Sequence, residues 1–308
     1  MDKLKAAVVI PTFNKKERLL LTLESFRYQT VSPDTFEVIL VDDGSGDGTR
    51  EMLQEWEGKF SLRYIEQNNK GRSAARNRGV EEARAELIIF CDDDMIAAPT
   101  FVEAHIAAHQ ERPCAAHGMI YNLPFLKFFK NPSTGEAYEE LDGESLVMIR
   151  RYCIRKEEIK DISYIKSLSK KTLIEKNISS IFKNNLTQYQ WLSFTGANSS
   201  CEKELLERAG MFDEGFGKAW GAEDFELGYR LYLQHTPFVY LEEGYNFHMM
   251  HARMDFQDAL RKANDKFYRM HPDKKIYFLP KLLSGEIKSI EEYKDYVNSH
   301  TINEYEGD

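Results

Sequence analysis

Between Ala6 and Gln110 the chain alternates short apolar runs with amphipathic stretches. Ala6–Ile10 (AAVVI) and Phe36–Val41 (FEVILV) are unbroken apolar blocks, the pattern of strands buried on both faces of a parallel sheet. Leu62–Glu66 (LRYIE) and Leu87–Phe90 (LIIF) predict two more strands. Pro11 is expected to stop the first strand and open a loop through Thr12, Phe13 and Asn14. Asn14 and Glu17 have the spacing of a capping box. Leu19, Leu20, Leu23 and Phe26 then recur at helical intervals. Thr49 to about Glu57 reads as a second helix. An alanine-rich third helix follows Asn69-Lys70-Gly71-Arg72-Ser73. Thr100 and Glu103 predict a capped fourth helix running to about Gln110. Strand and helix alternating at this spacing predict a parallel α/β sheet.

Beyond Leu126 the pattern loosens. Pro132-Ser133-Thr134-Gly135 predicts a mobile loop, and Gly143–Lys171 has mixed helical patterning. This region is expected to be an insertion, either a partial lid or a solvated helical excursion. Trp191–Ser200 reads as a strand and turn. Glu202–Ala209 reads as a helix with Leu205 and Leu206 inward. Phe225–Gln234 is an amphipathic helix with Leu227, Leu231 and Gln234 in line, and Phe238–Leu241 is a last strand. From His271 the charged tail predicts two short helices.

The 308 residues suffice for one large domain or two small ones. With 42% hydrophobic and 30% charged residues the composition is that of an ordinary globular protein, so chemistry must come from motifs. A formal charge of −9 disfavours nucleic acid as a partner. Leu126–Lys183 holds 12 Lys and Arg against 9 Asp and Glu, a net +3 against −12 elsewhere. That asymmetry suggests peripheral contact of this segment with anionic lipid. No apolar run reaches the ~18 residues of a membrane span, and the N-terminus lacks the apolar core of a signal peptide. The expected location is therefore cytoplasmic, with peripheral contact at the inner face of the membrane. Cys91, Cys114, Cys153 and Cys201 form no CxxC pair and read as reduced thiols. Oligomeric state has no sequence signature here.

The fourth strand runs into Asp92, Asp93 and Asp94. Parallel sheets bind ligands beyond the carboxyl ends of their strands, where the loops at Thr12, Asp42-Asp43 and Asp92–Asp94 should converge. Three adjacent carboxylates there call for a hard divalent cation shared with a phosphate; a solvated acidic turn or helix cap is the alternative. Lys70 and Arg76 at a helix start suit an anionic or carbonyl-rich ligand. His248 and His251 follow a strand three residues apart. Glu223 and Asp224 open a helix after Gly221, where the macrodipole favours their ionised forms.

The segments VVIPTFN, VILVDDGSGDGT, NKGRSAARNRG, FCDDD and WGAEDFELGYR occur in the order found in family 2 glycosyltransferases of the GT-A fold. The resemblance spans about residues 6 to 255, and WGAED with His251-Ala252-Arg253 is similar to a galactosyltransferase-type C-terminal motif. It implies an α/β GT-A fold: a Rossmann-like, mostly parallel sheet flanked by helices, with a helical insertion and a helical C-terminal tail outside the resemblance. It implies a metal-dependent hexosyl- or N-acetylhexosaminyltransferase of polysaccharide or glycoconjugate biosynthesis. Such an enzyme moves sugar from a UDP-sugar to a hydroxyl of a carbohydrate or glycoconjugate acceptor. By the same resemblance Pro11, Thr12, Asp42, Lys70 and Arg76 line the nucleotide and diphosphate. Asp92 faces the ribose, Asp93 is the spacer, and Asp94 binds Mn²⁺ or Mg²⁺ together with His251, or secondarily His248. Asp224 is the general base of an inverting displacement, and Glu223 holds another hydroxyl. Trp220 stacks on an acceptor sugar beside Gly221, whereas Trp191 is expected in the core. The implied division is a nucleotide-sugar half over 1–122, an insertion over 123–190, an acceptor half over 191–265 and a tail over 266–308. Two competing readings have specific requirements. A nucleotidyltransferase needs a glycine-rich loop after the first strand, and PTFNKKE has no glycine. A non-catalytic sugar-binding relative is expected to lack acids at Asp94 or Asp224, and both are present.

Overall fold

The computed structural model describes residues 4–138, 149–218, 221–251 and 256–302. Trp220, Ala252, Arg253 and the patterning at 143–148 lie outside these residues. Strands β1 (Ala6–Thr12), β2 (Phe36–Asp42), β3 (Ser61–Glu66) and β4 (Leu87–Cys91) pair in parallel in the order β3-β2-β1-β4. Helices α1 (Lys16–Ser25), α2 (Thr49–Glu55) and α3 (Arg72–Glu82) connect them. Period-two alternation explains why the central strands are apolar throughout. Ala6, Val8 and Ile10 pack with Leu19 and Leu23 of α1, while Ala7 and Val9 pack on the opposite face with Ala75 and Val80 of α3. Leu20 is only half-buried, and Leu21 packs into a separate cluster.

Pro11 does not end β1. The register continues as Pro11↔Val41 and Thr12↔Asp42, while pairing with β4 stops at Val9↔Phe90. The missing proline N–H thus falls where β1 has only one paired neighbour. Neither predicted capping box forms. Lys15, not Asn14, precedes α1. Asn14 instead bridges to the glycine loop, its N–H donating to Ser45 Oγ (2.9 Å) and its Oδ1 accepting from Gly46 N (2.8 Å). At α4 (Phe101–Ala108) the Thr100 hydroxyl donates to Glu243 O, and Glu103 accepts from Thr30. Tertiary partners outcompete the local cap in both cases.

The second half completes the sheet. It adds β5 (Met95–Ala97), β6 (Ala115–Leu123), the hairpin β7 (Phe129–Asn131) and β8 (Glu136–Ala137), β9 (Lys170–Lys171), β10 (Asn198–Glu202) and β11 (Phe238–Met249). The main sheet continues β4-β10-β6-β11-β5, with β10 antiparallel between β4 and β6 and with β9 on β6. This is the mostly parallel, helix-flanked sheet that the GT-A resemblance implies. Trp191 lies in a 3₁₀ segment (Thr187–Ser193), not a strand, and the following strand begins only at Asn198. As expected, Trp191 is a core residue, meeting Tyr229 and Phe267 edge-on. The last strand runs to Met249, past a register shift between Leu241 and Asn246.

In the insertion, Asn131 Oδ1 accepts from the N–H groups of Ser133 and Thr134, so the Pro132–Gly135 turn is tied down. Ile154, Ile159 and Ile165, the last on α5 (Ile162–Ser167), pack with Leu123, Phe247 and Met249. Helix α6 (Leu173–Lys183) buries Glu175 against His117 and Tyr240. Helices α7 (Lys203–Ala209) and α8 (Glu223–Leu233) follow, α8 starting two residues earlier than its apolar pattern indicates. Among the described residues the tail after α9 (Phe256–Met270) holds three helices rather than two: α10 (Lys274–Tyr277), α11 (Leu279–Leu283) and α12 (Ile290–Ser299). All four cysteines are free. No helix among the described residues is long and apolar enough to cross a membrane.

Candidate active site

The acidic run crosses from β4 to β5, and β5 pairs antiparallel with the end of β11 in the register His248↔Met95. Met249 N donates to Asp94 O at 2.8 Å. That ladder sets Asp94 beside the two histidines. Asp94 Oδ2 lies 3.5 Å from His248 Nε2 and 3.3 Å from His251 Nε2. The ligand atoms of Asp94, His248 and His251 all fall within 4.8 Å of one another. One carboxylate oxygen and two imidazole nitrogens converging this closely could hold a divalent cation. Buried Arg18 fixes this corner. Its guanidinium donates to the carbonyls of Met249, Met250, Leu126, Phe129 and Lys130, joining α1, the histidine segment and the β7 hairpin.

A hollow of about 380 Å³ opens beside it. Pro11, Thr12, Asp43, Arg72, Arg76, Asp92, Asp93, Lys218 and His251 contribute to its wall. Asp93 turns inward, accepting from Thr12 Oγ1 at 2.8 Å with Lys15 Nζ at 3.4 Å. Burial pushes its carboxyl up to about 6, against the pull of Lys15. Burial also opposes ionisation of Asp94, but Lys15 at 2.5 Å and the two histidines hold that carboxyl well below its ordinary value. For Asp92 burial is likewise outweighed, here by Arg76 Nη2 at 2.8 Å, and its pKa is lowered.

Arg76 is buried and spans the site, meeting Asp92 on one side and Glu223 Oε1 (3.0 Å) on the other. Its room comes from Gly196, where a Cβ would fall 2.0 Å from the guanidinium. Glu223 Oε2 and Arg76 Nε are buried without a hydrogen-bond partner among the described residues. Asp224 accepts from Gly196 N (3.1 Å) and Phe225 N (2.9 Å). Its carboxyl is pushed up to about 6, first by burial and then by the charge of Glu223. Burial therefore overrides the helix dipole, which alone would favour the ionised form.

The predicted residues separate into three groups. Pro11, Thr12, Arg76, Asp92, Asp93 and His251 meet at the hollow; Asp94 and His248 adjoin it through the carboxylate–imidazole cluster. Asp94, Glu223 and Asp224 are not in its wall, and Glu223 is linked to it through Arg76. Asp42, Lys70 and Gly221 stand apart. Buried Asp42 accepts from Ser45 N and the Tyr64 hydroxyl, whereas its neighbour Asp43 reaches the hollow and accepts from Lys70 N and Gly71 N. The Lys70 side chain is exposed. A Cβ on Gly221 would face Leu260 and Ala263 of α9, not the hollow. Trp220 lies outside the described residues. Lys15, Arg18 and Gly196 carried no signal in the sequence beyond their ordinary residue types. Gly71 is required by its surroundings: it has φ +98°, and a Cβ there would fall 1.9 Å from Gly217 O.

The family model for glycosyl transferase family 2 matches residues 7–207. Validoxylamine A glucosyltransferase of Streptomyces hygroscopicus subsp. limoneus is 32% identical over 275 residues, covering 86% of this chain and 56% of that protein. The chain thus spans little more than half the length of this relative. Among solved structures, S. aureus TarS 1-349 in complex with UDP-GlcNAc superposes with a TM-score of 0.56 at 17% identity, covering 96% of this chain and 79% of the other. The mannosyltransferase PcManGT of Pyrobaculum calidifontis, in complex with GDP-Man and Mn²⁺, gives 0.54 at 15% identity, covering 96% and 68%. At these identities the structural likeness is one of fold.

Proposed function

The chain belongs to glycosyl transferase family 2 and is a glycosyltransferase; from that premise we propose that it transfers a hexosyl or N-acetylhexosaminyl unit from a UDP-sugar to an acceptor hydroxyl, with a divalent cation held by Asp94, His248 and His251. The convergence of two imidazoles on one oxygen of Asp94 carries this reading. A bound cation supplies Lewis acidity, offsetting the negative charge that develops on the departing diphosphate. The protein residues do the rest. Thr12, Asp43 and Asp92 present acceptors and a hydroxyl to the nucleoside. Arg72 and Lys218 put positive charge on the hollow's wall, which suits a diphosphate. Arg76 holds Asp92 and Glu223 in place, and Glu223, whose buried Oε2 has no hydrogen-bond partner among the described residues, is assigned to a sugar hydroxyl.

Asp224 is the general base of an inverting displacement. It takes the proton of the acceptor hydroxyl as that oxygen attacks the anomeric carbon and the bond to the diphosphate breaks. A carboxylate raised to about 6 is mostly ionised at neutral pH, yet more basic than an ordinary aspartate. In this reading residues 1–122 form the nucleotide-sugar half and 191–265 the acceptor half, with 123–190 as the insertion.

UDP release from a panel of UDP-sugars, measured with Mn²⁺ and without acceptor, tests this reading. Slow Mn²⁺-dependent hydrolysis of one donor is expected. Turnover of GDP-sugars alone would replace the uridine assignment, and undiminished turnover in EDTA would end the metal assignment.

A further inference from the structure

Lys15 stands at the junction of the cation cluster and the hollow. Its Nζ is 2.5 Å from Asp94 Oδ2 and 3.4 Å from Asp93 Oδ1. Asp94 Oδ2 is the same oxygen that faces both histidines. An ammonium and a divalent cation compete for that oxygen, because like charges a few ångströms apart in a buried site repel strongly. The Lys15 backbone is fixed: its carbonyl accepts from Arg18 N and Leu19 N in the first turn of α1. Its side chain lies on a flexible four-carbon stem and forms part of the wall of the hollow with Arg72 and Lys218. The ammonium therefore has a second destination within reach, an anionic group bound in that hollow.

We propose that Lys15 is an exchange residue: its ammonium holds Asp94 against cation entry and moves to the diphosphate of the bound nucleotide, so that nucleotide and cation each promote binding of the other. The proposal rests on the assignment of Asp94, His248 and His251 as cation ligands. It concerns positioning and binding order rather than the chemical step. Because such coupling is reciprocal, the factor by which UDP tightens Mn²⁺ must equal the factor by which Mn²⁺ tightens UDP. Part of that factor comes from direct cation–phosphate contact. The part due to Lys15 is what its removal takes away.

The test is calorimetry and Mn²⁺ electron paramagnetic resonance on the full chain and on Lys15→Met, which keeps the stem and removes the charge. Lys15→Gln serves should the methionine variant fail to fold. Without nucleotide, the variant should bind Mn²⁺ about tenfold more tightly, within the 5–150-fold range typical of such couplings. Without metal it should bind UDP more weakly, and the coupling factor between the two ligands should shrink. Lys15→Arg should retain the wild-type pattern. Mn²⁺ affinity that is unchanged or weaker in Lys15→Met, or metal-free UDP affinity that is unchanged, overturns the exchange role. Asp94→Asn separates this from failure of the underlying assignment. If it abolishes Mn²⁺ binding while Lys15→Met behaves as wild type, only the exchange role falls. If it leaves Mn²⁺ binding intact, the cation site and the exchange role fall together.

Discussion

Asp224→Asn should make the protein more stable and nearly inactive. Burial and the neighbouring charge of Glu223 raise the Asp224 carboxyl from its ordinary 3.8 to about 6. A carboxyl raised that far has its charged form disfavoured by ~3 kcal/mol in the folded protein. Partial exposure of Asp224 lowers the usable figure to about 1–3 kcal/mol. The unfolded chain loses this proton near its ordinary value and the folded chain near 6, so between those values the native state binds more protons. The penalty is therefore absent below 3.8, grows through that window, and is complete above about 6. The amide keeps an oxygen to accept from Gly196 N and Phe225 N but carries no charge. Urea unfolding should show the variant about 1–3 kcal/mol more stable at pH 8 and equal to wild type below pH 4. Transfer should fall by ~10²–10⁴, the usual contribution of a positioned base, with UDP affinity unchanged. In the wild type, kcat/KM should drop about tenfold per pH unit below about 6. A variant that is less stable at pH 8, or that retains full transfer, refutes the reasoning.

Two further substitutions probe the frame around the site. Arg18→Met leaves five main-chain carbonyls without their buried donor and should cost about 3 kcal/mol or more in chemical denaturation. Arg18→Lys should not restore it, since a single ammonium cannot reach all five; wild-type stability in the lysine variant would contradict this account. Gly71→Ala forces a Cβ against Gly217 O at a positive φ, and should lower stability by about 1–3 kcal/mol. A melting temperature equal to the wild type's would show that the two loops separate without cost.

The first half of the fold is legible because β1, β2 and β4 are apolar on both faces and helices alternate with them. The second half is not. β10 is polar in sequence (NSSCE) yet central in the sheet, because buried partners satisfy it. Ser200 Oγ lies 2.7 Å from both His105 Nδ1 and His109 Nε2, and Asn198 Oδ1 lies 2.9 Å from His105 Nε2. β11 is hidden by Glu242-Glu243-Gly244, which fall at its register shift and mimic a strand end. At the site, the acidic run and both histidines stand out as motifs, but their meeting depends on the β5–β11 register. Adjacent acids at a strand end point opposite ways, so sequence alone does not tell which of Asp42 and Asp43 reaches the hollow. Lys15 and Arg18 look like solvated residues of an amphipathic helix. Only the long-range carboxylates and carbonyls they meet set them apart.

The placement of β10 between β4 and β6 has a consequence for synthesis. Its two flanking strands leave the ribosome first, and about a hundred residues separate the end of β4 from the start of β10. At translation rates of about 5–20 residues per second, the free edge of β4 therefore waits some 5–20 s for its partner, the kind of edge that recruits foreign chains. The gap between β4 and β6 is filled only when a hydrophilic segment arrives.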